Sequence, residues 1–323
     1  MADKIRVAVI GVGYLGEHHA RIYSQMKDVE LVGVVDVRPG QAEQIAQKYG
    51  TRAFSDLSDL LGQIEAASVT VPTPLHHEIA KRLLLGGTDV LVEKPITKTV
   101  AEADELIEIA RREGRILQAG HVERFNPATR KLMELSGDVR FIEALRIGPF
   151  LGRGTDVHVI LDLMIHDIDI ILSLVPSEVA EIRAIGVPVL SENIDIANAR
   201  IAFANGAVAN FTASRVSSEK MRKLRIFQPE MYLSLDFQSQ EITLARRVFD
   251  REAESGPKAR IVADRLVIER GEPLQEEIAS FVQSVKSRRP PLVGGEAARR
   301  ALSVALEVAE RASVSSQSST ARP

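Results

Sequence analysis

The sequence predicts an α/β chain of two domains: a doubly wound parallel sheet first, then an α+β domain built on a large, open, mostly antiparallel sheet. Three observations predict it. Residues 1–120 alternate short β-branched runs with helical stretches, the pattern of parallel strands joined by crossover helices. The opening run V-A-V-I-G-V-G-Y-L-G, Val7 to Gly16, is followed by an amphipathic stretch and a second apolar run that ends in Asp36. From His121 onward, one long helical stretch around Asp162 gives way to a succession of short strand-like runs.

In the first half the expected strands are Ile5–Ile10, Glu30–Val35, Ala67–Val71, Asp89–Val92 and Arg115–Ala119, with helices beginning near Gly13, Gln41, Leu57, Leu75 and Val100. Thr99 followed by Glu102 is a capping-box signature, and Gly114 lies past that helix's end. In the second half the expected strands are Val139–Ile147, Val179–Ile185, Ile194–Phe203, Ala207–Ser214, Lys223–Phe227, Met231–Asp236, Glu241–Arg246 and Arg265–Glu269. Asn205-Gly206 marks a hairpin between two of them. Helices follow at Leu274–Ser287 and Glu296–Ala312, split by Pro290-Pro291, and the Ser-rich residues 313–323 are expected to be a disordered tail. The domains are therefore expected at 1–120 and 121–312. Such an open sheet leaves one face for a partner, so a homodimer or homotetramer joined through it is predicted.

With 323 residues and 45% hydrophobic content the chain can bury two cores. Lys and Arg number 41 against 44 Asp and Glu, which argues against a nucleic-acid or membrane surface. There is no cysteine, so disulfides, thiolate nucleophiles and thiolate metal sites are excluded. The apolar window Val157 to Val175 carries Asp162, Asp167 and Asp169. Each would cost about 2.5–3.5 kcal/mol at a bilayer centre, so it is not read as a membrane span. The first apolar run is already a strand rather than a leader, and a cytoplasmic protein is expected.

Each part of the opening motif has a job in holding a dinucleotide. Gly11 permits the tight turn, Gly13 lets backbone approach a pyrophosphate, and Gly16 lets the helix pack on the strand. The helix begun by Tyr14 and Leu15 turns its free N–H groups toward the phosphates. Asp36, twenty residues after Gly16, is placed to accept both ribose hydroxyls, which favours NAD over NADP. Arg38 is able to stack on adenine or to compensate a 2′-phosphate. Two further strand ends should line the same crevice: T-V-P-T-P-L-H-H from Thr70, containing Pro72, Thr73 and His76, and V-E-K-P, containing Glu93 and Lys94. Pro95 keeps Lys94 extended, so its ammonium should reach the cleft at a fixed position. The competing reading is an ordinary surface lysine.

Asp162, His166 and Asp169 in D-L-M-I-H-D-I-D recur at the spacing of one helix face. Buried polar groups need partners, so these should face a cleft or one another. An imidazole oriented by a carboxylate is a candidate proton acceptor, against the alternative of a hydrogen-bonded core pair. G-H-V-E-R-F-N-P, Gly120 to Pro127, offers Arg124 for an anion and Asn126 for a hydroxyl, or else caps and structural hydrogen bonds. Of His18 and His19 on the first helix, one must point inward, where packing is the simpler role. No motif asks for a metal.

G-V-G-Y-L-G, P-T-P-L-H with His76, Glu93-Lys94-Pro95 and Asp162 through His166 together resemble the Gfo/Idh/MocA family of NAD(P)-dependent oxidoreductases. The resemblance implies Lys94 and His166 as the catalytic pair, Asp162 contacting substrate or positioning His166, and a peptide before Pro95 that is often cis. The glycine-rich lead usual before the Asp162 helix is replaced by T-D-V-H-V-I-L, a departure from inositol and simple hexose dehydrogenases. G-H-V-E-R-F-N-P, D-L-M-I-H-D-I-D, and E-P-L-Q-E-E-I with P-P-L-V-G-G-E are similar to stretches of bacterial nucleotide-sugar 3-dehydrogenases. Those enzymes oxidise the 3″-hydroxyl of UDP-N-acetylglucosamine or its uronic acid. This similarity implies a keto sugar destined for 3-amino-sugar synthesis in lipid A or lipopolysaccharide, with Arg124 and Arg153 suited to a diphosphate. Two alternatives are a family dehydrogenase of a free sugar, inositol or small imine, and a non-catalytic dinucleotide sensor, which would need the glycines and Asp36 but no proton-handling pair.

Overall fold

The computed structural model describes residues 4–150, 152, 157–250 and 258–319. The first part of the chain winds β1 (Ile5–Ile10), α1 (Tyr14–Gln25), β2 (Val29–Val35), α2 (Pro39–Tyr49), β3 (Arg52–Phe54), β4 (Ala66–Val69), α3 (His76–Leu85), β5 (Asp89–Glu93), α4 (Val100–Arg112) and β6 (Leu117–Gly120). Its six strands lie in the order β3-β2-β1-β4-β5-β6, every pair parallel. The order reverses between β1 and β4, the switch point at which such sheets open a ligand crevice beyond the strands' carboxyl ends. The central strands β4 and β5 are buried throughout, and β1 from Val7 to Ile10, because both faces are covered.

Local chemistry explains most boundaries. Thr99 Oγ1 accepts from Glu102 N at 3.2 Å while Glu102 Oε2 accepts from Thr99 N at 3.0 Å, the reciprocal cap expected for α4. Such caps contribute about 1 kcal/mol. The stretch at Leu57, expected as a helix, is instead one 3-10 turn, Leu57–Leu60, capped by Asp56. It has only two buried apolar residues, too few to drive a longer helix. β3 was not expected, since Arg-Ala-Phe carries no apolar run and joins the sheet by pairing alone.

The second part contains α5 (Pro127–Leu135), β7 (Phe141–Ile147), α6 (Ile165–Leu174), β8 (Val179–Val187), β9 (Ile196–Phe203), β10 (Val208–Ser214), β11 (Met221–Gln228), β12 (Met231–Asp236), β13 (Glu241–Asp250) and β14 (Lys258–Leu266). Its eight strands run β14-β13-β12-β11-β7-β10-β9-β8. Only β7 with β10 is parallel; all other neighbours are antiparallel. Burial alternates along β7, β9 and β10, so one face of the sheet forms a core and the other, of mixed apolar and polar residues, is only partly buried. The β9–β10 hairpin closes at Asn205-Gly206, with Gly206 at φ +86°. The last ribbon differs from expectation: β13 continues to Asp250 and its partner is Lys258–Leu266 rather than Arg265–Glu269. Charged residues on an exposed ribbon hide the period-2 signal.

Two helices complete the chain, α7 (Pro273–Ser287) and α8 (Gly295–Ser319). The chain divides into two compact units, Met1–Val122 with Glu272–Leu302, and Glu123–Gly271 with Ser303–Pro323. The first break falls beside the expected boundary at 120, but α7 and the start of α8 belong with the first unit rather than the second. Ile278, Phe281, Val282 and Val285 on α7 join Val7, Val9, Val34 and Leu91 in one core cluster. α8 also runs past residue 312, where the tail was expected to begin, as far as Ser319. Among the described residues no helix is long and apolar enough to cross a membrane.

Candidate active site

In the first unit, β1 delivers the chain to Gly11 at φ +87°, where a Cβ would lie 2.7 Å from Val71 Cγ1. A Cβ on Gly16 would stand 1.9 Å from the Gly11 carbonyl oxygen, so α1 approaches the strand as closely as only glycine allows. At Gly13 a Cβ would meet nothing nearer than Arg38 Nη2 at 4.0 Å, leaving the room a phosphate needs at the start of α1. Asp36 follows β2 directly. Its Oδ2 accepts from Val12 N at 3.1 Å and from Arg38 Nη2 at 3.2 Å. Its Oδ1 accepts from Arg38 N at 2.9 Å and Nε at 3.0 Å. Burial works against the carboxylate charge, yet the Arg38 hydrogen bonds and charge and the Val12 N–H hold its pKa below the usual range.

These groups wall a cavity of about 710 Å³ whose lining includes Gly11, Gly13, Leu15, Asp36, Arg38 and Pro72. Its volume suits a small-molecule site, and a carboxylate beside a Cβ-free wall suits a dinucleotide's ribose and phosphates. The residues present fit NAD. Tyr14 and Thr73, also expected at the cofactor, do not line the cavity; the Tyr14 ring is 67% exposed and edge-on to His18 at 5.0 Å.

The loops after β4 and β5 are fastened together. His76 is 1% exposed, with Nδ1 2.8 Å from the Pro95 carbonyl and Nε2 2.8 Å from that of Val71. Burial lowers its pKa. The side chains of His76 and Glu93, both expected at the cofactor, are buried and bonded within the protein. The Glu93 carboxylate meets His19 Nε2 at 3.2 Å through Oε1 and accepts the Lys94 N–H at 3.1 Å through Oε2. The Lys94–Pro95 peptide is cis. Lys94 itself is half-buried just beyond the strand end.

In the second unit, α6 opens with a wide turn over Ile160–Met164, in which the Ile165 N–H reaches back to Ile160 O. This adds a residue to the turn, an insertion common at functional sites. Uniform helix periodicity puts Asp162, His166 and Asp169 on one stripe; in the structure Asp162 and His166 are half-buried, whereas Asp169 is 3% exposed with Arg124 Nη1 at 3.5 Å. Arg124 thus faces Asp169 across that pair. Of the two readings of Asn126, a substrate-hydroxyl partner or a cap, the structure shows the cap, buried at the start of α5. Its Oδ1 accepts from Ala128 N at 3.0 Å, and its Nδ2 donates to Glu123 Oε2 at 3.3 Å and Phe237 O at 3.2 Å. Arg153 lies outside the described residues.

Sequence reasoning missed the cluster beneath the Asp162 helix. Arg146 of β7 is buried, donates to Asp167 through Nε at 3.0 Å and Nη2 at 2.7 Å, and reaches Glu123 through Nη1 at 2.9 Å. It also stacks 4.9 Å from the Phe237 ring centre. Burial opposes the Arg146 charge, but the two carboxylates outweigh it and keep the guanidinium protonated. Burial also pushes the Asp167 pKa up, against the pull of Arg146. This pins α6 to the sheet and so fixes the segment that presents Asp162 and His166. Arg222, partly exposed on β11, feels burial and Arg146 lowering its pKa, with Glu123, Asp167 and Asp162 opposing.

Residues 5–121 match the model of the GFO/IDH/MocA oxidoreductase family with NAD-binding Rossmann fold, and residues 139–231 that of the GFO/IDH/MocA C-terminal domain. The UDP-N-acetylglucosamine 3-dehydrogenase of Acidithiobacillus ferrooxidans is 37% identical over 306 residues, 94% of this chain and 96% of that protein. A myo-inositol 2-dehydrogenase of Thermotoga maritima is 27% identical over 318 residues, 92% of this chain and 93% of its own length. A solved structure of the Acidithiobacillus enzyme superposes with a TM-score of 0.89 at 35% identity, covering 95% of this chain and 97% of that one. The glycine turn, Asp36, Lys94 beyond β5 and the Asp162–His166 segment thus stand in a chain matched along most of its length. This protein belongs to the GFO/IDH/MocA family of NAD-binding oxidoreductases.

Proposed function

We propose that the protein oxidises a secondary hydroxyl of a nucleotide sugar, the 3″-hydroxyl of UDP-N-acetylglucosamine or a closely related UDP-sugar, with NAD as acceptor. The observation that carries this reading is the 37% identity, over nearly all of both chains, to a dehydrogenase of that substrate. Gly11, Gly13 and the first turn of α1 would hold the cofactor's phosphates, and Asp36 its adenosine ribose. Bound nicotinamide supplies the acceptor for the hydride leaving the sugar carbon. His166 takes the hydroxyl proton, and Asp162 orients either the imidazole or the sugar. To the Lys94 ammonium we assign stabilisation of the alkoxide as it forms, the role that fixed charge fills best. Oxygen gives up a proton, carbon gives up a hydride, and a ketone results. A 3-keto sugar is the substrate class that an aminotransferase converts to a 3-amino sugar. Arg222 and Arg153 are the cations we assign to the diphosphate, since Arg124 is engaged by Asp169.

The test is NADH formation by the purified protein offered UDP-N-acetylglucosamine, free N-acetylglucosamine and myo-inositol. Oxidation of the UDP-sugar alone supports the reading; oxidation of a free polyol with none of the UDP-sugar overturns it.

Preference for NAD over NADP rests on Asp36. Its four hydrogen bonds already hold it ionised, so a 2′-phosphate would meet a fixed negative charge. In Asp36→Ala, NADH affinity should fall by about 1–3 kcal/mol, the cost of losing a charged hydrogen-bonding partner. NADPH affinity should rise relative to it, because Arg38 is released. Titration with the two reduced cofactors measures both. An unchanged ratio would remove Asp36 from the selectivity.

A further inference from the structure

A buried polar chain between α1 and the parallel sheet is used neither by the cofactor cavity nor by the proposed proton transfer. Tyr23, Ser68 and His19 have no solvent exposure, and Glu93 very little. Tyr23 Oη lies 2.8 Å from Ser68 Oγ, and Ser68 Oγ lies 3.0 Å from His19 Nδ1. His19 Nε2 meets Glu93 Oε1 at 3.2 Å, and Glu93 Oε2 accepts the Lys94 N–H at 3.1 Å. Burial opposes the Glu93 charge, but the His19 hydrogen bond, the nearby Lys94 charge and the Lys94 N–H bring its pKa below the ordinary carboxylate range.

The Glu93 carboxylate can only accept, so His19 Nε2 donates to it. Ser68 Oγ links the other ring nitrogen to Tyr23 Oη. β6 closes the remaining side, since a Cβ on Gly120 would lie 2.9 Å from Glu93 Oε2. The carboxylate is therefore gripped at one oxygen by α1 and grips the backbone of Lys94 with the other. A core that needed only filling would be served by apolar side chains without the cost of burying a charge.

We propose that His19 is a positioning residue for Lys94. By holding Glu93, with Ser68 and Tyr23 fixing the ring, it sets the backbone from which the Lys94 ammonium reaches the substrate oxygen. This rests on the assignment of Lys94 under the proposed function.

The experiment compares His19→Leu, His19→Gln and Ser68→Ala in the full chain. Three quantities are read: kcat and KM for the sugar, NADH affinity by fluorescence, and amide hydrogen exchange at Lys94 beside that of β1. Displacing a reacting group by about 1 Å can cost about 10²-fold, so His19→Leu should lower kcat by about that factor with KM and NADH affinity nearly constant. Exchange should quicken at Lys94 while β1 stays protected. In His19→Gln the amide nitrogen takes the place of Nε2, and most of kcat should return. An unchanged kcat in His19→Leu, equal losses in the Leu and Gln variants, or exchange rising equally in β1 would each overturn the proposal. If His19→Leu does not fold, Ser68→Ala removes the ring's orienting hydroxyl with little change in volume. It should show the same loss of kcat and local exchange at Lys94, and normal values in both would overturn the proposal. Should the parent protein oxidise none of the sugars, the functional reading fails, while exchange at Lys94 still decides whether His19 positions that residue.

Discussion

Lys94→Ala is expected to leave NADH affinity close to that of the parent protein and to lower turnover of the UDP-sugar by about 10²–10⁴-fold. The cavity that suits the cofactor is walled by Gly11, Gly13, Asp36 and Arg38, with no contribution from the Lys94 side chain. Under the proposed function, removing the ammonium should therefore affect the chemical step rather than cofactor binding. Fluorescence titration with NADH and steady-state rates on the same preparation separate the two effects. A variant that keeps near-parental kcat would end the assignment of Lys94. Loss of NADH binding in step with turnover would mean the residue serves the cofactor.

Arg146→Met is expected to produce the largest loss of stability, about 3–5 kcal/mol, because it strips the cation from two buried carboxylates while keeping most of the side-chain volume. Its pH dependence has a definite sign. Asp167 already sits above its ordinary pKa because burial outweighs the pull of Arg146. Without Arg146 it should rise further. A carboxyl raised in the folded state favours the fold while protonated, fully below its unfolded value of about 3.9, and that contribution is lost as pH rises through the folded pKa. The stability gap between parent and variant should thus be widest near neutrality and narrow in acid. Denaturant midpoints at the two pH values measure it. A gap that does not change with pH would show that Asp167 and Glu123 are not left as buried charges. The variant should also lose turnover, because α6 carries Asp162 and His166.

What the sequence revealed and what it hid divide along a physical line. Most strand and helix periods and the glycine turn are local signals, legible without partners; the Leu57 turn, β3 and the last ribbon are where that signal fails. The partnership of Arg146 with Asp167 and Glu123 joins residues more than twenty positions apart, and no period or spacing announces it. The wide turn before Ile165 breaks the uniform helix on which the three-residue stripe depended. For Asn126 the capping alternative is the one observed, and it had a local signal: Asn followed by Pro is an N-cap with proline in the first helical position, a start signal for α5. His19 shows the opposite case, since two adjacent histidines on a helix say only that one faces inward, and its partners come from β4 and β5.

The return of α7 to the first unit has a bearing on how the chain comes off the ribosome. Residues 123–271 are in effect a long insertion, and Phe281 and Val285 emerge well after the strands they cover. Until then the nascent nucleotide-binding half carries a bare greasy patch, so its closure must wait on synthesis of nearly the entire polypeptide. A fragment ending at Val122 would inherit that patch permanently.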